Sequence, residues 1–266
     1  MIHLAGVRYV PPEGKGGYPF SIPLVQSLAE LEFDAPVTVL VGENGSGKST
    51  LLEALAVGAG CTSIGSESLT TDRTLAAARE LARHLRLSWK KRTHRGFFLR
   101  AEDFFAFCNR VNDLRAEMEE GLRTVDEEFS DRSILARQLA RGVYQGSIGA
   151  LQRRYGEDMH AQSHGESFLK LFQSRFVPGG LYVLDEPEAP LSPTRQLALI
   201  AMMKEMVESD CQFIMATHSP ILMAYPGATV LSCDEQPVRR VAYEELEHVR
   251  VTKAFLNNPE SFLRRL

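Results

Sequence analysis

Val37-Thr38-Val39-Leu40-Val41 runs into Gly42-Glu43-Asn44-Gly45-Ser46-Gly47-Lys48-Ser49-Thr50 and on into Leu51-Leu52-Glu53-Ala54-Leu55-Ala56. A β-branched run, a glycine-rich turn and a helix-forming segment, in that order, predict a strand, a phosphate-binding loop and a helix. Gly42, Gly45 and Gly47 can take backbone angles that other residues resist. Successive N–H groups then point inward as a nest for phosphate oxygens, at the positive end of the helix that follows. Lys48 is placed to reach the β- and γ-phosphates and the Ser49 hydroxyl to ligate Mg²⁺, with Asn44, Ser46 and Thr50 completing the nucleotide-binding loop. A glycine-rich turn that binds nothing is the alternative, and the strand and helix flanks weigh against it.

The chain of 266 residues can bury a core as one large domain or as one domain with a substantial insertion, and the second suits it better. With 44% hydrophobic and 24% charged residues and a net charge of −4, it has no global basic field of the kind that gathers nucleic acid. Lys90-Lys91-Arg92 and the pairs Arg153-Arg154, Arg239-Arg240 and Arg264-Arg265 read as solvated surface. Cys61, Cys108, Cys211 and Cys233 are widely spaced, which suits reduced thiols in a cytoplasmic protein better than a disulfide framework or a zinc site. No run approaches the ~20 apolar residues needed to cross a bilayer, and the N-terminus lacks the pattern of a signal peptide, so no direct membrane insertion is expected.

Upstream of the loop, Ile2 to Tyr9 predicts a strand, and the alternation from Tyr18 to Leu24, interrupted by Pro19 and Pro23, predicts an edge strand or extended segment. An antiparallel flap ahead of a parallel core is the expected result. Downstream, Asp72 to Arg83 has helical spacing, Leu85, Leu87 and Trp89 have strand spacing, and a turn at Thr93 to Gly96 is expected to return the chain through Phe97-Phe98-Leu99-Arg100. From Ala101 to about residue 160 the chain is rich in charge and helix formers, with breaks expected near Gly121, Gly142, Gly146 and Gly149. It predicts an inserted helical subdomain packed on Phe104, Phe105 and Phe107. The core then resumes with strands at 181–184, 212–216, 228–232 and 238–243 and a helix at 194–209. Strands alternating with helices predict a doubly wound α/β fold.

Three later stretches carry chemistry. Leu181-Tyr182-Val183-Leu184 ends in Asp185-Glu186, where Asp185 is suited to the Mg²⁺ shell and Glu186 to polarising an attacking water. Ser163-His164-Gly165-Glu166-Ser167 precedes a helical segment and offers a second anion-binding helix start through Ser163 and Gly165, although a capping box of Ser163 with Glu166 accounts for it equally well. Phe213-Ile214-Met215-Ala216-Thr217 ends in His218, which at a neighbouring strand end is placed to sense the γ-phosphate. Tyr9, Tyr18 and Phe20 are aromatic candidates for the adenine contact, and flap packing explains each of them as well.

Taken together, these motifs resemble those of ABC-type P-loop ATPases. Gly42 to Thr50 resembles a Walker A motif, Ser163 to Ser167 a degenerate ABC signature, Leu181 to Glu186 a Walker B motif with its catalytic glutamate, Glu188 to Ser192 a D-loop, and His218 the switch histidine. The set appears in family order over residues 37–220. Asp185-Glu186-Pro187-Glu188 with Leu191-Ser192-Pro193 looks closer to soluble ATPases related to SMC and RecF-type proteins than to transporter subunits. Departures from the family pattern are His164 for glycine in the signature, Ser192 for aspartate in the D-loop, and no glutamine at the Q-loop distance, where Arg100 or Glu102 stands instead.

The resemblance implies a P-loop NTPase of ABC type with an N-terminal antiparallel β flap and an inserted helical subdomain. Its implied activity is hydrolysis of Mg-ATP at a homodimer interface. Lys48, Glu186 and His218 would act in catalysis, with Ser163 and Gly165 of one subunit completing the phosphate shell of the other. A soluble switch acting on a protein partner, in DNA repair or defence, is the leading reading; nucleic acid stays open as a ligand. The nucleotide-binding subunit of a membrane transporter and a nucleotide-gated scaffold without turnover are the alternatives.

Overall fold

The structure is a computed structural model that describes residues 1–14, 16–64, 69, 71–128, 131–155 and 164–264. Its elements in chain order are β1 (Leu4–Tyr9), α1 (Pro23–Ser27), β2 (Glu30–Glu32), β3 (Val37–Val41), α2 (Lys48–Ala59), β4 (Thr62–Ser63), α3 (Ala76–Arg83), β5 (Leu85–Trp89) and β6 (Gly96–Arg100). These are followed by α4 (Ala101–Glu128), α5 (Ile134–Tyr155), α6 (His164–Arg175), β7 (Leu181–Asp185), α7 (Pro193–Glu208), β8 (Gln212–Ala216), α8 (Pro220–Met223), β9 (Thr229–Ser232), β10 (Arg239–Arg240), α9 (Glu247–Asn257) and α10 (Pro259–Leu263).

Seven strands form the central sheet in the order β10-β9-β3-β8-β7-β6-β4, parallel throughout except for β10 against β9. The two faces of this sheet are covered, which is why its strands read as continuous apolar runs. Side chains nonetheless divide with strand period. Val37, Val39, Phe97, Leu99, Tyr182, Leu184, Phe213 and Met215 enter one core cluster, while Leu40, Phe98, Leu181, Val183, Ile214 and Ala216 enter the other. The first cluster takes its helical cover from Phe104, Phe168, Phe172 and Leu199. The second takes it from Leu51, Leu52 and Leu55 of α2 and from the smaller sheet.

That smaller sheet, β2-β1-β5, is antiparallel. It is pinned to the core by the buried Gln212, whose Oε1 accepts from the His3 and Leu4 N–H groups, both at 2.8 Å, while its Nε2 donates to the Leu4 carbonyl. The flap is therefore antiparallel as expected, but it recruits β5 from beyond α3. The expected return of β5 into β6 through Thr93 to Gly96 does not occur. β5 pairs with β1, and β6 crosses to lie parallel to β7.

Four further expectations are corrected. Tyr18 to Leu24 is not an extended edge, because Pro23 at the first helical position starts α1, its missing N–H being one the helix would leave unbonded anyway. The glycines of the insertion do not break its helices, and α4 and α5 run through all of them. At Gly121 a Cβ would fall 2.4 Å from the Tyr144 ring, so glycine there lets α5 approach α4. Phe104 and Phe107 do not form a separate packing face, since both join the main core. Phe104 meets Phe168 edge-to-face at 4.7 Å and Phe107 meets Tyr155 at 5.5 Å. The Phe105 side chain lies outside the described residues. Finally, the strand expected at 238–243 shortens to β10 before a helical turn at Tyr243–Glu245.

Candidate nucleotide site

Ligands of open parallel sheets bind beyond the carboxyl ends of the strands, and the predicted residues gather there on the adjacent strands β3, β8 and β7. Between β3 and α2 the loop turns on Gly47, which caps the helix in the left-handed region at φ 98°. A Cβ at Gly47 would meet Ile22 Cγ2 at 2.6 Å, so α1 closes one side of the loop and enforces the glycine. Lys48 is buried and folds back, its Nζ donating to the carbonyls of Gly42 (2.7 Å) and Glu43 (2.8 Å) and to Ser46 Oγ (3.3 Å). Burial holds the Lys48 ammonium below its usual pKa, against the opposing fields of Cys233, Asp234, Asp185 and Glu186.

At the end of β7, Asp185 is buried and hydrogen-bonded by the Ser49 side chain. Its Oδ1 is enclosed without a hydrogen-bond partner. Burial pushes its pKa up to about 6, the Ser49 bond opposing. A carboxylate short of positive charge, touching a hydroxyl at the head of a phosphate loop, fits Mg²⁺, which binds through few protein oxygens and completes its shell with phosphate and water.

Glu186 follows with φ 50°, a left-handed backbone uncommon for a residue with a side chain. Its N–H donates to the Ala216 carbonyl at 2.9 Å, which holds the strained turn against β8. The turn directs Glu186 toward His218, with Oε1 3.7 Å from His218 Nε2. His218 is anchored by its own N–H, which donates to Glu188 Oε1 at 2.7 Å. Burial, seconded by Lys48, holds the His218 pKa below the usual histidine value. Its Nε2 is enclosed and has no hydrogen-bond partner. Glu188, itself raised by burial, thus braces the histidine from within the D-loop stretch.

The signature stretch is elsewhere. Ser163 lies outside the described residues, and Gly165 packs under the D-loop stretch and α7, where a Cβ would meet Pro190 O at 2.8 Å and Arg195 Cδ at 2.7 Å. Arg100 and Glu102 are committed to each other. Arg100 is ringed by Asp103 (2.9 Å), Asp72 (3.1 Å), Glu102 (3.1 Å) and Glu53 (3.5 Å), which leaves its charge facing carboxylates. Of the aromatic candidates, Phe20 is buried against His84, and Tyr18 is exposed with its hydroxyl 3.4 Å from Thr50 Oγ1.

Two residues at the site were not singled out from the sequence. Asp234 Oδ1 accepts from the Glu43 N–H at 2.6 Å and so steadies the loop from beyond β9. His248 on α9 brings its Nε2 to 3.4 Å from His218 Nδ1. Neither belongs to a motif, and a lone acid after a short strand carries no signal of its own.

The fold and the residues at its carboxyl edge resemble those of P-loop ATPases of the ABC type. A AAA domain family matches residues 21–86, and a second, described as "AAA domain, putative AbiEii toxin, Type IV TA system", matches residues 151–224. An "Uncharacterized ABC transporter ATP-binding protein" of Haemophilus influenzae is 26% identical over 220 residues, which covers 80% of this chain and 75% of that protein. Among solved structures, the Smc head domain of Pyrococcus furiosus bound to the C-terminal domain of ScpA matches with a TM-score of 0.46 at 12% identity, covering 98% of this chain and all (100%) of that one. A dimeric bacterial ABC transporter cassette matches with a TM-score of 0.45 at 15% identity, over 92% of this chain and 100% of that one. Among the described residues no helix is long and apolar enough to cross a membrane.

Proposed function

We propose that the chain is an ATP-driven switch without membrane spans of its own, which hydrolyses Mg-ATP between two copies and so changes the state of a protein partner, in DNA repair or defence. One observation carries the proposal: Lys48, the Ser49–Asp185 pair and the Glu186–His218 pair meet at the ends of three neighbouring strands. Lys48 exchanges its loop carbonyls for the β- and γ-phosphates, and the N–H groups of the glycine-rich loop take the remaining oxygens. Ser49 and Asp185 would hold Mg²⁺, which when bound neutralises charge on the phosphate oxygens. Glu186 accepts the proton of the attacking water, and its 45% exposed side chain leaves room for that water. His218 donates from Nε2 to the γ-phosphate.

The switch in trans is supported by what one chain lacks. Gly165 lies under the D-loop stretch and not among the contacts of Lys48, so a second copy would supply the signature residues Ser163 and Gly165. The family match over residues 151–224 favours the defence setting.

A second reading, the nucleotide-binding subunit of a membrane transporter, is favoured by the name of the Haemophilus influenzae relative and by a cavity of about 480 Å³ between α4, α5 and α6. That cavity is lined by Phe107, Val111, Leu114, Met118 and Leu151, and a coupling helix would fill such a groove. Sizing the Glu186→Gln protein with ATP, with and without duplex DNA, tests the first reading. The variant is expected to bind ATP, to run as a dimer, and to turn over about 10²–10⁴-fold more slowly. Wild-type turnover in that variant would remove Glu186 from its role. A monomer at saturating ATP would remove the sandwich, and co-purification with an integral membrane protein would favour the transporter.

A further inference from the structure

His218 has two ring nitrogens and, at neutral pH, one proton to place, since burial and Lys48 hold it in the neutral form. Its Nε2 faces Glu186 Oε1 across 3.7 Å, enclosed and unbonded. Its Nδ1 faces His248 Nε2 at 3.4 Å, the two rings tilted by 55°. If His218 donates to His248, it presents a bare lone pair at Nε2 toward a carboxylate and toward the phosphate this site would hold. If His248 donates to His218, the proton sits on Nε2, where both anions attract it. Among the described residues, the charged and titratable groups around His218 are Lys48 from the loop, Glu186 and Glu188 from beyond β7, Asp234 from beyond β9 and His248 from α9, and of these His248 addresses Nδ1.

We propose that His248 is a positioning residue that fixes His218 in its Nε2-protonated tautomer, the form that donates to the transferred phosphoryl group. The proposal rests on the ATPase reading of the site given above. The geometry is built for it. Leu246 and Val249 are buried on either side of His248 and anchor the first turn of α9 in the core. The Tyr243 hydroxyl donates to the Pro220 carbonyl at 3.1 Å, which ties the start of α9 to the turn that carries His218. Ring-to-ring contact is therefore imposed by two anchored segments.

The test uses the full chain labelled with [15N]histidine, in three forms: wild type, His248→Ala and His248→Gln. In the wild type His218 is expected to carry its proton on Nε2, and in His248→Ala the preference is expected to disappear. The alanine variant should lose about 10–100-fold in kcat with KM changed by less than roughly twofold, the scale and pattern expected when a partner that orients a histidine is removed. Glutamine presents an amide N–H where the imidazole N–H stood, and it should restore both the tautomer and most of kcat. A wild-type His218 protonated on Nδ1 overturns the proposal, and that measurement needs no variant to fold. Wild-type kcat in His248→Ala overturns it as well, as does a glutamine variant as slow as the alanine one. Failure of the ATPase reading would show separately, as no ATP turnover by the wild type while its His218 tautomer can still be read, and wild-type turnover in His218→Ala would remove His218 itself from catalysis.

Discussion

Two buried cations stand at the carboxyl edge of the central sheet, Lys48 at the head of α2 and Arg100 at the end of β6, and they are partnered in opposite ways. Lys48 touches only neutral oxygens of its own loop, and among the described residues no carboxylate comes within ion-pair distance of it. Arg100 is surrounded by four carboxylates, three of them largely buried. A buried charge is costly unless it is paired. At Arg100 the pairing is internal and complete, so its charge serves the fold. At Lys48 it is incomplete, so its charge remains for an anion from outside. The difference separates a cation paired within the fold from one left without a counter-charge, without reference to any motif.

The comparison breaks most visibly at Lys48. Lys48→Ala is expected to lower ATP turnover by about 10³-fold or more, the scale of losing a charge aimed at the transferring group, while changing stability by less than roughly 1 kcal/mol. Isothermal titration with ATP and a denaturant midpoint read the two together. Unimpaired turnover, or a large loss of stability, would place Lys48 with Arg100. The converse substitution, Arg100→Met, should cost about 3–5 kcal/mol of stability because it leaves buried carboxylates facing one another. A midpoint within error of wild type would mean that the ring around Arg100 is not holding β6 to the head of α4.

Much of this contrast was legible in the sequence for Lys48 and none of it for Arg100. The phosphate loop is a local pattern, with its strand, its glycines and its helix contiguous, so periodicity and turn chemistry suffice to find it. Asp185, Glu186 and His218 each end a four- or five-residue apolar run, and a buried strand followed by a polar residue announces a crevice. Arg100 also ends an apolar run, Phe97-Phe98-Leu99, and its place at the Q-loop distance made it, with Glu102, a candidate for the site. What decided otherwise was Glu53 and Asp72, which meet Arg100 only through tertiary packing. The expected return of β5 into β6 fails for a related reason. β5 and β6 are close in sequence and both have strand character, and nothing local reveals that one pairs with β1 and the other with β7. His248 is the extreme case, a histidine on a helix start whose only distinction is the ring it touches.

Glu53 sharpens the comparison, because it lies on α2 with Lys48 yet pairs with Arg100. Its carboxyl pKa is pushed up to about 7 by burial, with Arg100 opposing and the Asp185 charge adding to the rise. The field of Arg100 favours ionisation, but at 3.5 Å Glu53 is the most distant of the four acids that share the guanidinium, so compensation is weakest there. Because the folded pKa exceeds the usual 4.5, the folded chain holds a proton that the unfolded chain releases between pH 4.5 and about 7. Stability attributable to this group is therefore full below pH 4.5 and falls as pH rises, by up to about 3 kcal/mol at pH 8. Glu53→Gln cannot ionise and keeps an acceptor for Arg100. It should match the wild type near pH 4.5 and exceed it increasingly toward pH 8, as read from denaturant midpoints across that range. A gap that stays constant with pH would show Glu53 ionised throughout, and the ring around Arg100 would then be fully charged.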